Sequence, residues 1–283
     1  MNLRHPSGSL PRSSALTDLI TSDATMPERL DGGLRRVLAS KIAMGAPARS
    51  FGNLRLDSYS ALEMRRAPSA ARIFAWSPHT ARRILGAPAA RRVITAAASS
   101  PLAAVRTEIA DVIARSASAR VRPGSLGAWL AEAPHGVVAA VTASATEYAT
   151  ELTTLLDYRH LGTRVELGRA DPIWAVPGAP WVTLRARRDV EVALDADHQT
   201  RALVALRPGR PTALATDDLG LVALVEALTR PEAPLPTRVV GIWPSSGKAV
   251  SLEVSQETCR RAARLVVDAV EAKRQRVAIQ HVA

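Results

Sequence analysis

The chain has 283 residues, of which 47% are hydrophobic, and this composition excludes wholesale disorder. A single cysteine, Cys259, excludes an internal disulfide and a multi-cysteine metal site. No segment has the ~20 consecutive apolar residues of a membrane span, and the N-terminus has no secretory signal, so we expect a cytoplasmic protein. Lysine and arginine outnumber aspartate and glutamate by 37 to 26, which gives a formal net charge of +11. Such an excess attracts nucleic acid or acidic partners.

The first half of the chain predicts helices. Residues 1–50 are rich in Ser, Pro, Gly and Arg, and we interpret them as a partly disordered basic arm with one helix, over Leu34 to Ile42. Residues 51–160 predict a helical region that begins near Leu54, with a short helix over Tyr59 to Arg66.

A basic segment within this region predicts two short helices. The first begins at Ser77-Pro78 and ends at Gly86, and the second begins at Pro88. A helix, a tight turn and a basic helix together resemble a DNA-reading helix-turn-helix. The alternative is a chance pattern, because arginine pairs are frequent in a chain as rich in arginine as this one. The candidate nucleic-acid-binding residues here are Arg82, Arg83, Arg91 and Arg92.

Residues 161–283 predict alternating strands and helices. The expected strands cover residues 163–167, 181–184, 189–194, 201–206, 239–243 and 250–254, and the expected helices cover residues 219–228 and 256–276. The predicted fold class is therefore α/β, with a helical N-terminal region packed on a mixed-sheet core.

One arrangement in the second half could carry chemistry. Asp189 lies at the start of one expected strand, and a second, apolar strand ends at Arg207 and is followed by Gly209. A helix that begins near Asp217 and Asp218 comes next. Metal-dependent phosphodiesterases hold carboxylates on neighbouring strand ends in order to bind Mg²⁺.

This layout resembles the RecB-like branch of the PD-(D/E)XK nuclease superfamily, over roughly residues 54–275. The resemblance implies a restriction-endonuclease-like core in which Asp189 is the first metal-binding aspartate and Glu166 the upstream glutamate. Ala205 stands where a second carboxylate is expected, and Arg207 stands where a lysine is expected. Residues 54–62 are similar to the segment that opens these nucleases. Two further candidate nucleic-acid-binding residues flank the first aspartate, Arg187 and Arg188.

The departures from the family pattern affect the residues that would bind the metal and assist cleavage. Alanine cannot coordinate a hard cation, and arginine is a poor substitute for a catalytic lysine. The site formed by Asp189, Glu166 and Arg207 is therefore predicted to be vestigial, with no metal or cofactor, and Mg²⁺ is expected only if it is active. Glu191 is an alternative ligand, since it shares the strand face of Asp189.

Three functions stay open at this stage. The chain is a DNA-binding or scaffolding component in DNA repair, recombination or phage-related processes, with DNA and a DNA-processing protein as partners. Alternatively it is an active metal-dependent DNA nuclease with a rearranged site, or a non-enzymatic regulatory or interaction protein with a basic surface. The nuclease resemblance requires Asp189 and Ala205 to lie side by side, whereas in the simplest alternative Asp189 neutralises a neighbouring arginine.

Overall fold

The computed structural model describes residues 19–20, 28–46, 54–57, 76–95, 97–118, 124–155, 165–167, 171–194, 200–207 and 209–280. The helices are α1 (Gly32–Gly45), α2 (Pro78–Ile94), α3 (Pro101–Ser118), α4 (Leu126–Glu132), α5 (His135–Leu155), α6 (Ala215–Thr229) and α7 (Gln256–Gln280). The strands are β1 (Leu54–Asp57), β2 (Val165–Leu167), β3 (Ile173–Val176), β4 (Ala179–Arg185), β5 (Val190–Ala193), β6 (Arg201–Leu206), β7 (Arg238–Trp243) and β8 (Lys248–Glu253). None of the helices in the described part of the chain combines the length and the apolar composition that a membrane span requires.

The chain divides into two compact units, and their limits differ from the predicted boundaries at residues 50 and 160. The helical unit contains the described residues between 76 and 167, and the sheet unit contains those of 19–57 and 171–280. The predicted α/β class, with a helical region and a mixed sheet, is confirmed. The segment before residue 58 groups with the second half of the chain because α1 and β1 pack against elements there.

Helix α2 begins where the sequence predicts. The Ser77 hydroxyl accepts a hydrogen bond from the Thr80 backbone N–H, and the Thr80 hydroxyl accepts one from the Ser77 N–H. This reciprocal capping box satisfies two backbone donors that a helix start would otherwise leave unpaired. Pro78 takes the first helical position, where its missing N–H costs nothing.

The predicted helix-turn-helix is wrong, because α2 continues without a break to Ile94. Gly86 does not end the helix but lets it approach α5 closely. A Cβ at Gly86 would lie 2.8 Å from the Ala145 carbonyl oxygen and 2.8 Å from Cδ1 of Tyr148. Pro88 lies inside the helix, so the glycine and the proline that predicted a turn are instead parts of one packed helix.

The smaller sheet of the sheet unit has the strand order β1–β4–β3. Strand β1 runs parallel to β4, with Leu54 opposite Val182, and β3 runs antiparallel to β4. The prediction of a helical array from Leu54 is therefore wrong for residues 54–57, and the predicted helix at 59–66 lies outside the described residues. Leu54 and Leu56 are buried on one face of this sheet.

In the larger sheet, strands β5, β6, β7 and β8 lie side by side in that order. Strand β5 is antiparallel to β6, β6 is parallel to β7, and β7 is antiparallel to β8. Helix α6 makes the crossover between the two parallel strands and is buried along most of its length. The carboxyl ends of β6 and β7 therefore meet at one edge of the sheet, which is where α/β folds usually bind ligands.

Candidate nucleic-acid interface

Asp189 lies at this edge, immediately before β5, and its side chain supports the sheet. The residue is 4% exposed, and its Oδ2 accepts a hydrogen bond of 2.7 Å from the Leu206 backbone N–H. Its own N–H donates to the Val204 carbonyl at 2.9 Å. The alternative of a surface aspartate is therefore wrong, because the carboxylate is buried and satisfies the last backbone donor of β6.

Arg207 follows β6 and ties the strand to the start of α6. Its Nε donates to Oδ2 of Asp218 at 2.7 Å, and its Nη1 donates to the Arg187 carbonyl at 3.2 Å. Asp218 lies in the first turn of α6, where the helix dipole favours a negative charge. Arg207 is 9% exposed, so this ion pair is largely shielded from solvent.

A second ion pair lies in the same helical turn. Asp217 is buried, and its Oδ1 accepts a hydrogen bond of 2.6 Å from Nη2 of Arg261 on α7. The Arg261 side chain remains 54% exposed, and Arg187 is exposed as well. We name this group the strand-end cluster, and its members are Arg187, Asp189, Arg207, Asp217, Asp218 and Arg261.

The described residues contain no group of three or more His, Cys, Asp or Glu side chains that could hold a metal ion. Ala205 lies opposite Asp189, because the register pairs Val190 with Val204, so the two positions are adjacent as expected. Glu166 lies in β2, but its side chain is outside the described residues. Its grouping with Asp189 stays a prediction.

Arg188 and Glu191 point into a different environment, a network of buried charges beneath α6. The Arg188 side chain is 5% exposed and pairs with Glu191 and Glu226, and the Glu226 side chain is 0% exposed. We name this group the buried charge network, and its members are Arg188, Glu191, Arg201, Glu226 and Arg230. Arg188 is therefore not available to nucleic acid, and Glu191 is held away from a metal site by three arginines.

The arginines decide the ionisation of Glu191. Burial raises the pKa of this carboxyl, but the charge and hydrogen bond of Arg188, the hydrogen bond of Arg230 and the charge of Arg201 outweigh burial. Together they lower the pKa of Glu191 from 4.5 to about 2. The carboxylate is therefore ionised in the folded protein at every ordinary pH, as a buried acid beside several cations must be.

The patterns considered above do not predict this network, although the sequence contains a signal for it. Glu226 is the only charged residue between Leu219 and Leu228, a stretch of α6 that is otherwise apolar on all sides. A helix that is hydrophobic all round is buried, and a buried carboxylate requires a cationic partner. Arg201, which begins an otherwise apolar strand, is that partner, and its Nη1 lies 2.6 Å from Oε1 of Glu226.

The four candidate arginines of the helical unit also differ in environment. Arg92 pairs with Glu108 and with Asp111, the latter at 2.7 Å. The guanidinium of Arg82 lies 5.6 Å from the ring centre of Tyr148, a cation–π distance. Arg83 is half-buried and Arg91 is exposed. Because these side chains lie on one continuous helix, they do not form the predicted recognition element.

Comparison with known proteins adds no identification: no family model, no curated protein and no solved structure matches the chain. The resemblance to RecB-like nucleases therefore stays a prediction. It depends on the strand order and on the positions of Asp189, Ala205 and Arg207.

Proposed function

We propose that the chain is a nuclease-like protein that binds DNA without cutting it and acts as a scaffold in DNA repair, recombination or phage-related processes. A cytoplasmic location and a protein partner in a DNA-processing complex are parts of the same proposal. The observation that supports it most directly is that Asp189 and Arg207, the two described residues expected to be catalytic, are engaged in structural contacts. Both hold the fold together through contacts with Leu206 and Asp218.

The geometry at these residues suits a structural role better than catalysis. A Mg²⁺ ion takes six oxygen ligands in near-octahedral geometry, usually several waters, one or two carboxylates and the phosphates of the substrate. Asp189 offers one buried carboxylate whose Oδ2 is already hydrogen-bonded, and its neighbour on β6 is Ala205. Arg207 is held by its ion pair with Asp218, and a guanidinium has no acceptor atom, so it cannot replace a catalytic lysine.

The DNA-binding part of the proposal relies on the exposed cations around the strand-end cluster. Arg187 and Arg261 belong to the cluster and are exposed, and Arg210 is exposed in the connection between β6 and α6. Arginine suits phosphate contacts because its planar guanidinium binds two oxygens at once. The chain's net charge of +11 adds a long-range attraction for the same ligand.

A salt titration with a short DNA duplex tests this proposal. We expect binding that weakens steeply between about 50 and 200 mM salt, as phosphate contacts release counterions. The double change Arg187→Ala with Arg210→Ala should reduce the slope of log K against log salt by about 1.8, because each phosphate contact contributes about 0.9. Arg264→Ala on α7 is the matched control and should leave the slope unchanged. The absence of binding at low salt would contradict DNA binding. An equal reduction of the slope in the double variant and in the control would contradict the assignment of DNA contacts to Arg187 and Arg210.

A nuclease assay separates the proposal from the active-enzyme alternative. We expect no cleavage of single- or double-stranded DNA with Mg²⁺ or Mn²⁺. Cleavage that disappears in Asp189→Ala but persists in Asp217→Asn would show that the site is active and that the DNA-binding scaffold is the wrong interpretation.

A further inference from the structure

Helices α1 and α7 of the sheet unit run side by side and form an open groove. At one end, the Gln256 side chain accepts a hydrogen bond of 3.2 Å from the Asp31 N–H and donates one to the Arg29 carbonyl. At the other end, a Cβ on Gly45 would lie 3.1 Å from Cγ1 of Val270. Both contacts join residues that differ by 225 in number (256 − 31 and 270 − 45), so the helices are parallel and in step.

Between these two contacts the helices leave a cavity of about 530 Å³. Its floor is apolar and is formed by side chains from both helices, Leu34, Leu38, Ala263 and Val267. Ten residues separate Asp31 from Lys41, which corresponds to about 15 Å at ~1.5 Å per residue, or roughly three helical turns. This length fits one short helix laid along the groove.

The α1 wall of the groove exposes apolar side chains to solvent. Val37 is 53% exposed and Met44 is 69% exposed, and both are among the large hydrophobic residues that the fold leaves uncovered. Lys41 lies between them on the same helical stripe, since the three positions follow an i, i+4, i+7 spacing. An exposed apolar stripe beside a groove is typical of a site for an amphipathic helix.

The charges along the groove are arranged unevenly. Three cations line the groove, Lys41 on α1 and Arg260 and Arg264 on α7. The acids lie at the ends, with Asp31 and Glu257 at the start and Asp268 at the far end. The Asp31 carboxylate caps α1 by accepting the Gly33 N–H at 2.8 Å, and Glu257 lies 3.6 Å from Arg264. Glu257 also lies 3.8 Å from Arg260, so it offsets part of the charge of both arginines. Between Asp31 and Asp268, the charged side chains that line the groove are nevertheless all cations.

We propose that this groove binds an amphipathic helix of a partner protein, with an apolar stripe facing the floor and acidic residues in its central turn. The apolar floor buries the apolar stripe of the partner helix, and the cations between the two ends of the groove favour a partner with acidic residues. Oppositely charged groups across an interface favour the correct partner and penalise like charges. This site lies on α1 and α7 and requires none of the residues assigned to DNA above.

A pair of designed peptides tests the proposal on the full chain. Each is a 15-residue helix with leucines at i, i+3, i+4 and i+7, and the central turn carries two glutamates in one peptide and two lysines in the other. We expect the glutamate peptide to bind at least tenfold more tightly, as measured by fluorescence anisotropy. Val37→Glu and Arg264→Glu should each weaken its binding at least tenfold, and Arg264→Glu should improve binding of the lysine peptide.

Arg274→Glu is the matched control, because it makes the same charge change on the same helix outside the groove, at a side chain that is 53% exposed. It should leave peptide binding unchanged. Circular dichroism and thermal unfolding will show whether the variants keep the fold, and the exposure of Val37 and Arg264 predicts that they do.

Several outcomes would overturn the proposal. Failure of both peptides to bind, equal affinity for the two peptides, or equal effects of Arg264→Glu and Arg274→Glu would each contradict it. A dimer that Val37→Glu dissociates would assign the groove to a second copy of the chain. Peptide binding that rises tenfold on deletion of residues 1–18 would assign it to that segment. Displacement of the peptide by duplex DNA, with no effect of Val37→Glu, would assign the surface to nucleic acid.

Discussion

Glu226 offers a quantitative test of the buried charge network. Its side chain is 0% exposed, and its Oε1 lies 2.6 Å from Nη1 of Arg201 and 3.2 Å from Nη1 of Arg230. Glu226→Gln keeps the size of the side chain but removes its charge, so three arginines then face a single glutamate. Removing one partner of a buried ion pair costs about 3–5 kcal/mol, because the remaining charge stays buried without compensation. We expect a loss of unfolding free energy of that size.

Denaturation in urea at pH 7 measures this loss. The buried tryptophans Trp174 and Trp243 lie in the sheet unit and report on its unfolding. The midpoint should fall without a change in the slope of free energy against urea, since the surface exposed on unfolding stays the same. Glu232→Gln removes an exposed acid shortly after α6 and should change stability by no more than about 0.5 kcal/mol. A loss below about 1 kcal/mol in Glu226→Gln would refute the reasoning.

A double variant distinguishes lost ion pairing from lost packing. Arg201→Met combined with Glu226→Leu leaves Arg188, Arg230 and Glu191, so the network keeps its original net charge of one positive unit. Replacing a buried pair by apolar side chains of similar size is often neutral or stabilising. We therefore expect the double variant to be more stable than Glu226→Gln. If the two single changes simply add, Arg201 and Glu226 are not energetically coupled.

Two further predictions concern pH and helix packing. The pKa of Glu191 is about 2 in the folded protein and 4.5 in a reference state, so its contribution is present above pH 4.5 and is lost as the pH falls towards 2. After allowance for solvent screening, wild-type unfolding free energy should fall by about 2 kcal/mol more than that of Glu191→Gln over this window, and parallel curves would contradict this. Gly86→Ala should destabilise the helical unit by about 1–3 kcal/mol, because the new Cβ meets the Ala145 carbonyl oxygen. Thermal unfolding of the two variants measures this effect. Gly136→Ala, where a Cβ meets nothing within 4 Å, should be neutral or stabilising in that assay.

Local signals predicted much of the second half of the fold. The strand expected at 201–206 has the same bounds as β6, and the helix expected from 256 is α7. These elements combine apolar runs with turn residues at their ends, so short-range sequence patterns suffice to find them. The larger sheet could be predicted because its pairs involve strands that are close in sequence or joined by one helix.

The errors arise where distant parts of the chain meet. Strand β1 has only four residues and pairs with β4 far along the chain, so no local pattern reveals it. Glycine's intrinsic preference for turns predicts a helix end at Gly86, whereas the residue lies mid-helix because Tyr148 on α5 approaches it closely. In both cases a tertiary contact overrides local propensity, and local sequence patterns carry no information about such contacts.

At the candidate site, the sequence likewise does not show which charged side chains are buried and paired. A count of charges treats every arginine as part of a positive surface, but Arg188, Arg201 and Arg207 are buried and paired with carboxylates. They contribute to folding, and the field that they present to a ligand is largely cancelled at short range by Glu191, Glu226 and Asp218.

The surface available to a DNA or an acidic partner is therefore smaller than the net charge suggests. In the sheet unit it includes two separate regions, the edge near Arg187 and Arg261 and the groove walls near Lys41 and Arg264. Arg261 and Arg264 lie about one turn apart on α7 and have different partners, Asp217 and Glu257, so charge changes at the two positions can be compared directly. If the two regions bind different partners, each change should affect one ligand and spare the other, which a uniform basic surface cannot do.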